Sequence, residues 1–244
     1  MNAVTLHARR QGGFEQRLQA ATQLLLQAAF EHAGTIVQAT SLGAEDMVIT
    51  DLITRHQLGI AVATLDTGAL HDETLALMDL IETHFGLRVE RWAPTTEAVL
   101  HVVQDHGERA MFESQALRKS CCALRKLEPL GRLLHGRSAW VTGLRREQSD
   151  TRADVPQVDT SDPARIKFNP LAAWSLQDVW HYIAQHQVPY NPLHDAFYPS
   201  IGCAPCTRAV AVGEDPRAGR WWWEQDSAKE CGLHVHDTHE GATA

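Results

Sequence analysis

Five cysteines stand in the 244-residue chain as an adjacent pair, Cys121-Cys122, a Cys203-Ala-Pro-Cys206 turn, and an isolated Cys231 in the segment Lys229–His234. Four thiols in two close-set pairs are the makings of a tetrathiolate metal site, and the fifth is left over to react. Four cysteines to hold a cofactor and one to do chemistry is the division of labour of a redox enzyme. Zinc and an iron–sulfur cluster both accept four thiolates. Adjacent cysteines send their side chains apart, which suits a bulky cluster better than one small ion, and zinc stays as the rival.

Disulfides are disfavoured. The opening Met1-Asn2-Ala3-Val4-Thr5-Leu6-His7-Ala8-Arg9-Arg10 lacks an apolar signal region, and no apolar stretch approaches the roughly 20 residues of a membrane span. The expectation is a cytoplasmic protein with reduced thiols and no membrane partner, large enough to bury its own core. A 44% hydrophobic content fits one globular domain with a tail, and a homo-oligomer is compatible with it. The formal net charge of −8 argues against nucleic acid as a partner. The basic residues are nevertheless bunched: Arg118, Lys119, Arg125 and Lys126; then Arg145, Arg146 and Arg152; then Arg208, Arg217 and Arg220. Such islands in an acidic chain suggest a small anionic ligand, with solvated surface charge as the plainer reading.

These groups must be positioned by alternating elements. The pattern predicts an amphipathic helix over 14–32 and a strand over 35–40. A helix running to about Leu58 follows, then a strand over 59–66, a helix over 71–85 and a strand near 87–92. Helices around 95–105 and 121–135 and a strand over 138–143 complete the reading. Strands alternating with helices argue for a parallel α/β sheet flanked by helices, whose ligands bind at the carboxyl ends of the strands. The loops after Thr40, Asp66 and Gly143 therefore mark the expected site. Ser41-Leu42-Gly43-Ala44 joins a strand to a helix, where backbone N–H groups would meet an anion. It lacks the Gly-Lys-Thr/Ser of a Walker loop.

Taken together, several segments resemble one family. They are Ser41–Asp46, Leu65-Asp66-Thr67-Gly68, Cys121–Leu130, Thr142–Ser149, Lys167–Leu171, Tyr198–Arg208, Gly219–Glu224 and the Lys229–His234 tail. The chain resembles the assimilatory adenylylsulfate (APS) reductases of the phosphoadenylylsulfate (PAPS) reductase family, from about residue 35 to 234. Leu42 departs from the pattern, standing where many members have a small residue. The resemblance implies an adenine-nucleotide alpha-hydrolase-like domain with a modified pyrophosphate (PP) loop over 35–224. An N-terminal helical segment (1–34) would precede it, and a flexible tail (225–244) would follow. It also implies a 4Fe–4S cluster on Cys121, Cys122, Cys203 and Cys206, with Cys231 as the nucleophile.

On that basis Ser41, Gly43, Arg152, Arg217 and Arg220 are expected around the phosphosulfate, and Asp66, Thr67 and Gly68 near the adenosine. Lys126, one turn past Cys122, would lie between cluster and sulfate, while His234 is placed with the substrate and the Cys231 thiol. Trp221, Trp222 and Trp223 read as packing rather than base stacking. A thiolate that attacks the sulfur of APS releases AMP, and a second thiol must then free sulfite. With one unligated cysteine in the chain that thiol comes from outside, and the resemblance implies thioredoxin. Cluster-bearing members take APS, with PAPS as the alternative substrate. A transfer-RNA thiolase would be expected to carry Ser-Gly-Gly-x-Asp-Ser and a basic surface. A zinc-stabilised binding module would leave Cys231 an incidental thiol.

Overall fold

The computed structural model describes residues 2–224; Cys231 and His234 lie outside the described residues. In chain order the elements are α1 (Ala3–His7), α2 (Phe14–Glu31), β1 (Ile36–Thr40), α3 (Ala44–Arg55), β2 (Ala61–Leu65) and α4 (Asp72–Phe85). Next come β3 (Val89–Trp92), α5 (Thr96–His106), α6 (Gln115–Cys122), a π-helical turn over Ala123–Leu127 and α7 (Glu128–Leu134). The chain then forms β4 (Ala139–Val141), β5 (Val158–Asp159), β6 (Ile166–Phe168) and α8 (Leu176–His186). The sheet order is β3-β2-β1-β4-β6-β5, parallel throughout except for the antiparallel edge strand β5. The α/β sheet expected from the alternating pattern is present.

β1 lies at the centre because its residues tolerate burial on both faces. Its polar Gln38 is fully buried and fully used: its amide donates to the Asp46 carbonyl at 2.8 Å and its oxygen accepts from Thr50 at 2.9 Å. A buried amide left unpaired would cost about 1–3 kcal/mol, so these bonds also fix α3 against β1. Helices cover both faces. On one, Leu25 of α2, Met47 and Leu52 of α3, Met78 of α4, and Trp174 and Tyr182 form the main core. On the other, Leu130, Leu133 and Leu134 of α7 pack on Val37, Ala63 and Trp140.

α2 is pinned as well as packed, for Arg17 donates from Nε and Nη2 to the two oxygens of buried Asp178, both at 2.8 Å. Asp178 also receives the Ser175 N–H at 2.9 Å, closing a capping box at the start of α8. Among the described residues no helix is long and apolar enough to cross a membrane.

Strand order reverses between β1 and β4, which puts β2 and β3 on one side of the centre and β4, β6 and β5 on the other. The loops after β1 and β4 therefore splay apart at the carboxyl edge of the sheet and open a crevice there.

Candidate active site

The first loop of that crevice is folded back on itself. Ser41 donates its N–H and its hydroxyl to one oxygen of Asp46, each at 2.6 Å. The other Asp46 oxygen is buried against the Gly143 backbone, where any Cβ at position 143 would collide with it. Burial pushes the Asp46 carboxyl up to about 6, with Glu45 adding to the rise and the Ser41 bonds opposing it. Leu42 sits between with φ +61° and is buried. A left-handed conformation at a non-glycine residue costs of order 1 kcal/mol, and burial of the isobutyl group opposes it.

The second loop supplies an internal ion pair. Arg145, after β4, donates from Nε to Glu45 at 2.8 Å and is nearly buried. Burial by itself would raise the Glu45 carboxyl, and Arg145, a backbone N–H and Gln148 together hold it below its ordinary range.

Three adjoining cavities open here. One, of about 100 Å³, lies at the ends of β1 and β2 and is lined by Thr40, Ser41, Thr64, Thr67, Trp140 and Cys203. A second, of about 330 Å³, holds all four described cysteines between apolar walls from Val99, Leu100, Val103, Met111 and Trp221. The third, of about 240 Å³, is polar and is lined by Ser41, Gly43, Arg152, His194, Arg217 and Arg220 among others. Lys126 lines all three. It stands in the π-helical turn that follows the cysteine pair, and π-turns inside helices recur at functional sites.

The thiol cavity is assembled from distant segments. Cys121 and Cys122 end α6; Cys203 and Cys206 flank a 3-10 turn held by the Ala204 N–H donating to the Ala69 carbonyl at 2.7 Å. Thr67 joins the two regions. Its hydroxyl is 3.3 Å from Cys203 Sγ and its carbonyl accepts from Arg125 at 2.6 Å. Asp66 and Gly68 are spent on the turn itself, the Gly68 N–H donating to Asp66 at 2.9 Å.

Burial, with Cys203 and Cys122 beside it, pushes the Cys206 thiol up to about 12. Burial raises Cys121 too, against the opposing pull of Arg125. Among the described residues no three His, Cys, Asp or Glu side chains are gathered tightly enough to hold a single metal ion. Four thiols around a roomy cavity, with Arg125 and Lys126 near enough to Cys121 to offset thiolate charge, fit a cluster that binds its ligands at separate corners.

The polar cavity is built by the segment after the second cysteine pair. Arg208 N–H donates to the Gly219 carbonyl at 3.0 Å and Trp221 N–H to the Cys206 carbonyl at 3.1 Å. This places Arg220 on the wall of the polar cavity, near enough to the thiols to act on Cys206. Its Nη1 donates to the Ile201 carbonyl at 3.0 Å, its Nε is buried with no hydrogen-bond partner among the described residues, and its guanidinium lies 4.6 Å from the Trp221 ring centre.

On that ring Arg118 also rests, at 4.7 Å. Arg118 is fully buried and grips Glu224 through two bonds of 2.9 and 2.7 Å. Trp221 is 1% exposed and Trp223 stacks 4.4 Å from Phe112, so these two rings pack; Trp222 is exposed.

The geometry thus brings Ser41, Gly43, Thr67, Lys126, Arg152, Arg217, Arg220 and the four cysteines onto adjoining walls. Asp66 and Gly68 share the turn with Thr67 but are not among the residues that line these three cavities. Sequence reasoning passed over Asp46, His194, Gly202 and the structural use of Arg118. A Cβ at Gly202 would overlap the Arg220 guanidinium, so the glycine of Ser200-Ile201-Gly202-Cys203 was a readable signal.

Residues 35–209 match the phosphoadenosine phosphosulfate reductase domain family. The adenosine 5'-phosphosulfate reductase of Allochromatium vinosum is 56% identical over 216 residues, 88% of this chain and 84% of that protein. The protein of the same name from Neisseria meningitidis serogroup A is 48% identical over 229 residues, 92% and 94% of the two chains. Among solved structures, Candida auris phosphoadenylyl-sulfate reductase in a phosphate complex superposes with a TM-score of 0.66 at 24% identity, covering 83% of this chain and 100% of that one. Candida glabrata FMN adenylyltransferase with ATP gives 0.57 at 12%, covering 93% and 80%. Both speak to the fold, and bear out the PP-loop-like nucleotide-binding architecture. With its matched domain covering most of the chain and its relatives aligned over most of their length, the chain belongs to the phosphoadenosine phosphosulfate reductase domain family, beside proteins named adenosine 5'-phosphosulfate reductase.

Proposed function

We propose that the protein reduces APS to sulfite and AMP in sulfate assimilation. The observation that carries this reading is the contact between two cavities: a polar one with Arg217 and Arg220 on its wall and a four-cysteine one beside it, with Trp221 and Lys126 lining both. An anionic nucleotide end in the first would lie beside the thiol centre of the second. The relatives' names favour APS as the nucleotide.

Cys121, Cys122, Cys203 and Cys206 would hold a 4Fe–4S cluster, which supplies a structural and electrostatic centre beside the sulfate. Arg217, Arg220 and Arg152 would orient the phosphosulfate, since charge-assisted bonds to such oxygens are strong. Thr67 would line the nucleotide end. The Cys231 thiolate would attack the sulfur, forming a Cys–S–sulfonate as the sulfur–oxygen bond breaks and AMP leaves. An external dithiol, thioredoxin, would then attack the Cys231 sulfur. Sulfite leaves, Cys231 returns as a thiol, and the dithiol becomes a disulfide, supplying both electrons.

The test is to incubate anaerobically prepared protein with sulfur-labelled APS and no reductant, then map the label. Label on Cys231, absent in Cys231→Ser, released as sulfite by reduced thioredoxin, is expected. Full activity of Cys231→Ser overturns the reading.

A further inference from the structure

His194 belongs to a 3-10 turn, Pro192–Ala196, capped by Asn191, whose side-chain oxygen accepts from the Leu193 N–H at 3.0 Å. Buried Asn191 is itself fixed by donating to Thr74 at 2.8 Å, so the turn is held against α4. The imidazole packs edge-on against Trp180, ring centres 5.2 Å apart. It lines the same polar cavity as Arg217 and Arg220. Its Nε2 is buried and has no hydrogen-bond partner among the described residues. The Tyr198 backbone lies near the ring and favours its charged form. An unpaired ring nitrogen buried at the wall of an anion cavity costs about 1–3 kcal/mol unless something enters to meet it.

We propose that His194 is a substrate-contacting residue whose Nε2–H donates to an oxygen of the phosphosulfate, completing the donor set of Arg217 and Arg220. This rests on the nucleotide-sulfate reading above and adds a residue to it.

The chemistry has a proton consequence. Burial lowers the His194 pKa in the free protein; Glu45 from α3 and Asp195 beside it oppose that, and His7 from α1 adds to it. Burial thus holds the ring toward its neutral form in the free protein. The incoming anion, an opposite charge at contact, favours the imidazolium, in which Nε2 carries a proton to donate. Binding takes up that proton from solvent.

The experiment is calorimetric titration of APS and of adenosine into anaerobic holoprotein carrying Cys231→Ser, in buffers of different ionisation enthalpy. His194→Phe keeps the ring packing on Trp180 without a nitrogen, and His194→Gln keeps a donor. Expected are APS binding about tenfold weaker in His194→Phe and recovered to within about threefold in His194→Gln, adenosine binding unchanged, and proton uptake seen in the parent and lost in His194→Phe. Unchanged APS affinity and proton uptake in His194→Phe, or an equal loss for adenosine, overturns the proposal and leaves the reductase reading standing. A parent background that does not bind APS at all overturns both.

Discussion

Ser41 spends its backbone N–H and its hydroxyl on a single oxygen of Asp46, each at 2.6 Å. The loop that should receive an anion is thus shaped by the protein's own buried carboxylate. That carboxyl is raised from 3.8 to about 6 by burial first. The folded state therefore holds this proton more tightly than the unfolded chain does. The group's contribution to stability is greatest at low pH and is lost as pH rises toward and past 6. Between about pH 5 and about pH 7 this group alone should cost the parent about 1 kcal/mol, and Asp46→Asn should lack that loss. Denaturant unfolding of both proteins at the two pH values checks it; parallel pH profiles would count against the assignment.

Arg220 and Gly202 should behave as one device. Removing the guanidinium by Arg220→Ala removes a charge-assisted contact, and kcat/KM for APS should fall roughly 30-fold, equivalent to about 2 kcal/mol. Gly202→Ala should give part of the same loss while leaving Arg220 in the sequence, because its Cβ would overlap the guanidinium. The double variant should be no worse than Arg220→Ala. Additive losses in steady-state kinetics would separate the two residues.

The Arg118–Glu224 pair, with side chains 0% and 7% exposed, predicts a stability effect. Glu224→Ala leaves a buried guanidinium over Trp221 without its carboxylate, a change that costs about 3–5 kcal/mol in comparable pairs. Replacing both partners, as in Arg118→Met with Glu224→Leu, should recover most of that, since neither charge is then stranded. Chemical denaturation of the two variants decides it; a double variant as unstable as the single would mean the loss lies in packing against Trp221.

Much of this was legible in residue types. The strands Ile36–Thr40 and Ala61–Leu65 are short apolar runs between turn signals, and they fold as read. β5 and β6 are two and three residues long, too short for any alternation to show; β6 is set by pairing with β4, and β5 by pairing with β6. α8 carried a signal that was passed over, a capping Ser175 three residues before Asp178 ahead of an apolar periodicity. The π-turn at Ala123–Leu127 has no sequence signature; it arises where a helix must present cysteines and a lysine to one cavity. In the site, the convergence of Cys121, Cys122, Cys203 and Cys206 on one cavity was legible from their spacing. Arg118 was not, because a buried arginine and a solvated one look alike in a basic run. Asp46 stands in the first turn of a helix, where an acid is ordinary, whereas its carboxylate turns back to Ser41. His194 carries no motif of its own, and its meaning comes from the cavity.

The cysteine cavity makes the last prediction. Four thiols drawn from α6 and the Cys203–Cys206 turn surround about 330 Å³, and burial lifts Cys206 to about 12. A cation must therefore displace protons from thiols that hold them tightly, and affinity should rise with pH as it does so. Anaerobically purified protein is expected to be brown, with about four irons and about four sulfides per chain, as a cubane on four thiolates requires. Cys203→Ser should lose the chromophore and most of the iron. It should also lower stability, since Thr67 loses its sulfur neighbour. Thr67→Val should keep the iron while changing the cluster's electron paramagnetic signature after reduction, because it removes only a hydroxyl 3.3 Å from Cys203. Stoichiometric zinc without iron in anaerobic preparations would sink the cluster assignment and return the site to a single tetrahedral ion.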